Sequence, residues 1–296
     1  MPLPSFSTLF SRADQARPGL GVAAAGAADP TVLAALGEAS ARGWVRPILC
    51  ASEKALTPQG PLPTGVRVVD TADPARAAVE EVRAKRASLL MKGQISTPDL
   101  MKAVLARENG LRTSRVVCQA VLLEVVAHGR TLLLADTGIT PRPTVEQKLD
   151  IIESLVDLSR RLGEPRPRIA LVSASEKVTD ALPDTLEGAE VARRCTDRGM
   201  LAQGPLSFDL AYAAEASQRK GVGGAAVGAA DILVFPDLTS ANLTVKAMMY
   251  TADCRFGGML LGAACPVVFL SRADSARDRM HSLALALAAA DAPSDS

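Results

Sequence analysis

Two histidines in 296 residues leave little room for the commonest acid–base and metal chemistries. His128 stands between two apolar runs and His281 in the last helical segment. Neither has a partner at ligand spacing, so both read as ordinary surface or interface residues. A Ser-His-Asp hydrolase needs an imidazole base, and no G-x-S-x-G turn is present either. Metal-assisted hydrolysis lacks its usual histidine ligands. Aromatic residues are 3% of the chain, with one Trp and two Tyr, which is too little for a base- or sugar-stacking platform. A net charge of +1 argues against a nucleic-acid partner, so any anion site must be local. The five cysteines contain no CxxC pair, which excludes a disulfide frame or zinc knuckle and leaves reduced, buried thiols. No apolar run reaches the ~18 residues of a membrane span, so no membrane partner is expected. The first residues, Met1-Pro2-Leu3-Pro4-Ser5-Phe6, lack the charged-then-apolar pattern of a signal peptide, and the expectation is a soluble, cytoplasmic protein.

What is abundant is Ala, Val and Leu, within a hydrophobic content of 48%. Short apolar runs without clean alternation, at 19–25, 44–50, 88–91, 168–173, 231–235 and 266–270, predict strands covered on both faces. The runs 116–126 and 131–135, joined through His128-Gly129-Arg130, predict an antiparallel hairpin. Between the runs lie helical patterns at 29–42, 73–85, 97–108, 144–162, 208–219, 241–251 and 276–290. Three of them open on Asp-Pro or Thr-Pro, a cap followed by the proline that the first helical turn tolerates. Strand, loop and helix alternate throughout, so the class is α/β. Turn chemistry at 136–143, with one Gly and two Pro, suggests a domain boundary there. A polar tail follows Ala292.

Three polar stations stand at strand ends. The most informative is Ser271-Arg272-Ala273-Asp274-Ser275, between a buried strand and the last helix. Open α/β sheets bind ligands at the carboxyl ends of their strands. A helix N-terminus there favours anions, and arginine adds a planar fork that fits phosphate oxygens. By spacing alone, a simple cap on the last helix explains the same residues equally well. The other stations are Lys92-Gly93-Gln94-Ile95-Ser96-Thr97 and Asp237-Leu238-Thr239-Ser240-Ala241-Asn242. The glycines at 19–21 and 221–224 spell neither a dinucleotide fingerprint nor a P-loop.

Several stretches, in order, resemble the phosphate acetyl/butyryltransferases. They are Leu90-Met91-Lys92-Gly93, Met101-Lys102-Ala103-Val104-Leu105 and Gly110-Leu111-Arg112-Thr113; then Ala135-Asp136 with Pro143-Thr144-Val145-Glu146-Gln147-Lys148; then Gly204-Pro205-Leu206-Ser207-Phe208-Asp209 and Asp231-Ile232-Leu233-Val234-Phe235-Pro236-Asp237-Leu238, with Asn242 and Lys246 in register; and last Ser271-Arg272-Ala273-Asp274-Ser275. The Lys92-Gly93 and Arg272-Ala273-Asp274-Ser275 forms are closer to the butyryl branch.

The resemblance implies two α/β/α domains like those of isocitrate and isopropylmalate dehydrogenases, with the site in the cleft between them. The domains would be 1–136 completed by 263–296, and 137–262. It implies acyl-CoA plus phosphate giving acyl phosphate plus CoA, for a short acyl group (acetyl, propanoyl or butyryl), by direct transfer in a ternary complex. Coenzyme A is then a substrate, no metal or redox cofactor is needed, and a homo-oligomer, dimer or larger, is expected.

In that scheme Arg272 holds phosphate and Ser271 donates to the charge developing on the thioester oxygen. An aspartate handles the thiol proton. Asp274 fits the butyryl-branch motif, whereas Asp278, seven after Ser271, matches the acetyl branch; Asp274 is taken first. Lys92, Lys102, Arg112, Asn242, Lys246 and Ser275 are the implied substrate contacts. The chain departs from the family at Ser240-Ala241-Asn242, where Ala241 replaces a glycine, and after Asp136, where asparagines are usual. Two other readings stay open: a catalytically silent CoA- or acyl-binding protein, and a nicotinamide-dependent oxidoreductase on the related fold.

Overall fold

The structure is a computed structural model and describes residues 2–290. The tail after Ala292 lies outside the described residues. In chain order the elements open with α1 (Phe6–Ala16), β1 (Leu20–Ala25), α2 (Pro30–Ala41), β2 (Val45–Cys50), α3 (Glu53–Leu56), β3 (Arg67–Val69), α4 (Pro74–Arg83), β4 (Leu89–Lys92) and α5 (Thr97–Val104). The middle of the chain forms β5 (Cys118–Val125), β6 (Arg130–Ala135), α6 (Val145–Leu162), β7 (Arg168–Val172), α7 (Pro183–Asp197), β8 (Leu201–Leu206), α8 (Phe208–Tyr212), α9 (Ala214–Lys220), β9 (Ile232–Val234) and α10 (Leu238–Thr251). It returns through β10 (Cys254–Leu261), β11 (Val267–Val268) and α11 (Ala276–Ala290).

Two compact units result. The first comprises Phe6–Arg115 closed by the segment from Phe256 onward. Its strands run in the order β3-β2-β1-β4-β11-β10. All neighbouring pairs are parallel except β10 with β11. Apart from Lys92 at the end of β4, the central strands are apolar, as expected of parallel strands covered on both faces. α11 packs on α1, α2 and β11, while α4 packs on α5 and on β1, β2 and β4. His281 is buried here, stacked on the Phe6 ring at 4.4 Å, and so is neither a surface nor an interface residue. The ring that covers it comes from α1, far away in the chain.

The other unit is built on Val116–Arg255. Its strand order is β5-β6-β9-β7-β8, with β5 and β6 forming the antiparallel hairpin and the rest parallel. Gly129 supplies the left-handed turn residue at φ 58°. The boundary expected at 136–143 is therefore displaced to 115/116, and its partner at 262/263 to 255/256. The hairpin belongs with this sheet because Leu133 and Ala135 pair with Ile232 and Val234 of β9. Arg255 stays with it through an ion pair to Glu124 on β5. The turn after Ala135 is an internal crossover. The buried Asp136 carboxylate accepts N–H groups from Gln119, Gly138, Ile139 and Thr140 at 2.8–3.1 Å and so shapes the entry to α6. Among the described residues no helix is long and apolar enough to cross a membrane.

Candidate active site

Strand register in the first unit brings three distant segments to one edge. Ala25 of β1 lies beside Lys92 of β4, and Leu90 and Met91 of β4 lie beside Val267 and Val268 of β11. The loops at residues 26–29, 93–96 and 269–275 therefore leave the same, carboxyl edge of the sheet. The first two touch first through backbone. Gly93 N–H donates to the Ala25 carbonyl and Gln94 N–H to the Gly26 carbonyl, both at 2.8 Å. A Cβ on Gly93 would stand 2.2 Å from the Gly26 oxygen, so no side chain fits there. Asp29 caps α2, accepting from the Thr31 and Val32 N–H groups and the Thr31 hydroxyl. Its second oxygen accepts from the Gln94 amide at 2.8 Å. That amide also reaches the Arg272 carbonyl at 3.5 Å, which links all three loops. Burial alone would raise the Asp29 pKa; bonds from Thr31, Val32 and Gln94 and the charge of Arg279 hold it below the usual carboxylate value.

The 271–275 loop combines a helix cap with a separate turn. Ser275 and Asp278 form a reciprocal cap on α11: Asp278 N–H donates to the Ser275 hydroxyl, and the Asp278 carboxylate accepts the Ser275 N–H at 3.0 Å. The residues before it form a separate turn. The Ser271 N–H donates to the Asp274 carboxylate at 2.7 Å, and the Ala273 N–H to the Ser271 hydroxyl. Ser271 and Arg272 are exposed and Asp274 is half-buried.

Beneath them Lys92 is buried, 3% exposed. Burial, then the charges of Arg279 and Arg272, pull its pKa from the ordinary 10.5 to about 8, against the opposing pull of Asp274. A lysine so depressed costs stability while it is charged. Between about pH 8 and 10.5 the unfolded chain binds the proton and the folded chain does not, so stability rises with pH across that window. Lys92→Met should raise the melting temperature at neutral pH, relieving roughly 3 kcal/mol. Its advantage over the parent should shrink as pH rises through the window. Thermal unfolding of both proteins at neutral and alkaline pH checks this, and a variant less stable at neutral pH would refute it.

Lys102 sits exposed on α5 and lines a cavity of about 610 Å³ with Asp73, Ile95 and Asp99. Arg112 is exposed and its backbone bridges to Ala263. Neither makes a hydrogen bond or ion pair to residues 271–278 among the described residues. Asn242 and Lys246 belong to the other unit, one turn apart on α10. The Asn242 amide donates to the Thr137 carbonyl at 3.0 Å, and Lys246 is exposed. Ala241, the departure from glycine, is fully buried, so its added methyl packs inward. No group of three or more His, Cys, Asp or Glu suited to a metal ion occurs among the described residues.

The family model for phosphate acetyl/butaryl transferase matches residues 59–287. The chain is a member of this family. The phosphate acetyltransferase of Rhizobium meliloti is 38% identical over 268 residues, covering 87% of this chain and 85% of that protein. A branched-chain phosphotransacylase from Enterococcus faecalis V583 superposes with a TM-score of 0.84 at 30% identity, covering 92% of this chain and 99% of the other. A 4-hydroxythreonine-4-phosphate dehydrogenase from Klebsiella pneumoniae shares the fold alone, at TM-score 0.54 and 14% identity over 92% of this chain and all of the other. The expected dehydrogenase-like α/β fold is thereby confirmed.

In this phosphate acyltransferase the strand-end cluster holds residues that the sequence did not single out. Asp29 and Thr31 read only as a helix start, and Gln94 only as part of a polar loop. Arg279 lies within the helical pattern at 276–290 with nothing to mark it out, yet it is fully buried behind the loop. The one available signal was a basic residue in the first turn of a helix, where the macrodipole disfavours it.

Proposed function

We propose that in this phosphate acyltransferase of short-chain acyl-CoA, Ser271, Arg272, Asp274 and Lys92 carry the reaction by direct transfer in a ternary complex. The observation that supports this is the convergence of two cations, a hydroxyl and a carboxylate on one carboxyl edge of the sheet. Arg272 offers phosphate its fork, and Lys92 adds positive charge from below. A phosphate oxygen attacks the thioester carbon, a C–O bond forms, and negative charge gathers on the carbonyl oxygen. Ser271 donates its hydroxyl proton in a hydrogen bond to that oxygen. As the hydrogen phosphate attacks, the aspartate takes its proton; the C–S bond then breaks, the electron pair leaves on sulfur, and the thiolate receives that proton from the aspartate. In reverse, the same carboxylate removes the thiol proton. Coenzyme A and inorganic phosphate are the partners in this scheme, with Lys102 and Arg112 as further substrate contacts. The inward packing of Ala241 weighs against a chain that has lost its chemistry.

Phosphate-dependent release of CoA thiol from acetyl-, propanoyl- and butyryl-CoA tests the reading and reports the acyl preference. Absence of release with every acyl chain, from folded protein, would refute it. Ser271→Ala should lower kcat by about 10²-fold with the acyl-CoA KM little changed, because the bond strengthens only as charge develops. Steady-state kinetics decide, and an unchanged kcat removes Ser271 from the reaction.

A further inference from the structure

Arg279 is 0% exposed, and so cannot reach a substrate. It lies in the first turn of α11, where the helix dipole repels a cation. No ion pair compensates it among the described residues. Asp29, Asp274 and Asp278 act on it at longer range, and burial still pulls its pKa down. A charge held against both burial and dipole is costly, and such costs are retained where they serve a site. What the guanidinium does is specific. Its Nε donates to the Thr31 hydroxyl at 2.9 Å, one Nη to the Lys92 carbonyl at 3.4 Å, and the other to the Ser271 carbonyl at 3.5 Å. Those three residues come from α2, from the end of β4 and from the start of the catalytic loop.

We propose that Arg279 is a positioning residue for acyl transfer: it holds the carbonyls of Lys92 and Ser271, and so aims the Lys92 ammonium and the Ser271-Arg272 pair at the phosphate. This rests on the reading of the site given above. It also gives Arg279 an electrostatic signature. The charged groups acting on Lys92 are Arg279 from α11 and Arg272 and Asp274 from the loop. Removing the Arg279 cation therefore raises the Lys92 pKa above about 8. Above its pKa Lys92 is neutral and loses its attraction for phosphate, so the alkaline limb of kcat/KM for phosphate tracks that group.

The test compares Arg279→Met and Arg279→Lys with the parent, with folding checked by circular dichroism. Arg279→Met should lower kcat by roughly 10²-fold, the usual cost of a small misplacement of reacting groups. The acyl-CoA KM should change little and the alkaline limb should move to higher pH. Arg279→Lys keeps the charge, so its limb should stay at the parental pH while kcat recovers in part. A folded Arg279→Met with parental kcat, or with a parental alkaline limb, overturns the proposal. If Arg279→Met does not fold, Arg279→Gln is read by the same two criteria. If that variant also fails to fold, Arg279 is a structural residue and the proposal falls. Arg272→Ala separates the two levels of inference. Parental phosphate kinetics in Arg272→Ala would sink the site reading itself, whereas a crippled Arg272→Ala beside a parental Arg279→Met sinks only the role of Arg279.

Discussion

Asp274→Asn is expected to cut turnover by roughly 10²–10⁴-fold, the usual worth of a positioned proton-transfer group. The asparagine keeps an oxygen that can accept the Ser271 N–H, so the turn that presents Ser271 should survive. The loss then reports the proton and not the loop. Asp278→Asn is the matched comparison. Its carboxylate is already engaged by the Ser275 N–H, and an asparagine oxygen can accept that bond too. It should therefore leave both the cap and most of the turnover in place. Single-turnover thiol release at several pH values distinguishes them. A collapse in Asp278→Asn with Asp274→Asn unaffected would transfer the role to Asp278, and full turnover in both would remove the aspartates from proton transfer.

The second large effect is expected at Arg272. Arg272→Ala should lower kcat/KM for phosphate by about 10²–10³-fold, because it removes the exposed fork next to Ser271 that the proposed site offers to phosphate oxygens. Arg272→Lys should recover only part of this, since an ammonium offers a point charge without paired donors. Arg272 is exposed, so its attraction for phosphate is screened by salt. Raising ionic strength should raise the phosphate KM of the parent more than that of Arg272→Ala. Kinetics with phosphate varied at fixed acyl-CoA, at low and high salt, measure both effects. An unchanged phosphate KM in Arg272→Ala would place the anion elsewhere.

Several elements give too weak a local pattern to predict, each for its own physical reason. β8 reads Leu201-Ala202-Gln203-Gly204-Pro205-Leu206, and a proline inside a run argues against a central strand. β8 is an edge strand, where the missing N–H faces no partner. β3 is also an edge strand and only three residues long. α7 buries just Thr185, Val191, Ala192 and Cys195, so its apolar stripe is thin. The pattern at 208–219 predicts one helix, but the structure breaks it at Ala213, whose backbone is extended at φ −112° and ψ 122°. The strands that were legible, such as β1, β4 and β6, are those whose apolar side chains are buried along nearly the whole run.

For the site, sequence alone determined the α/β class, the family resemblance and the 271–275 loop with its serine, arginine and aspartate. These are contiguous patterns, and a contiguous pattern needs only local physics: apolar periodicity, caps and turn residues. Tertiary structure alone decided which of the remaining polar stations share an edge with that loop. Parallel pairing sets Ala25 beside Lys92 and Met91 beside Val268, and no local pattern encodes a register between segments so far apart in the chain. The same pairing buries Lys92 and seats α11 on β11 and α2 with Arg279 enclosed, which turns one ordinary basic residue into a depressed lysine and another into an enclosed guanidinium. The charge and hydrogen-bonding capacity of those side chains belong to the sequence, whereas their desolvation, and with it their energetic weight, exists only once the sheet edge has formed.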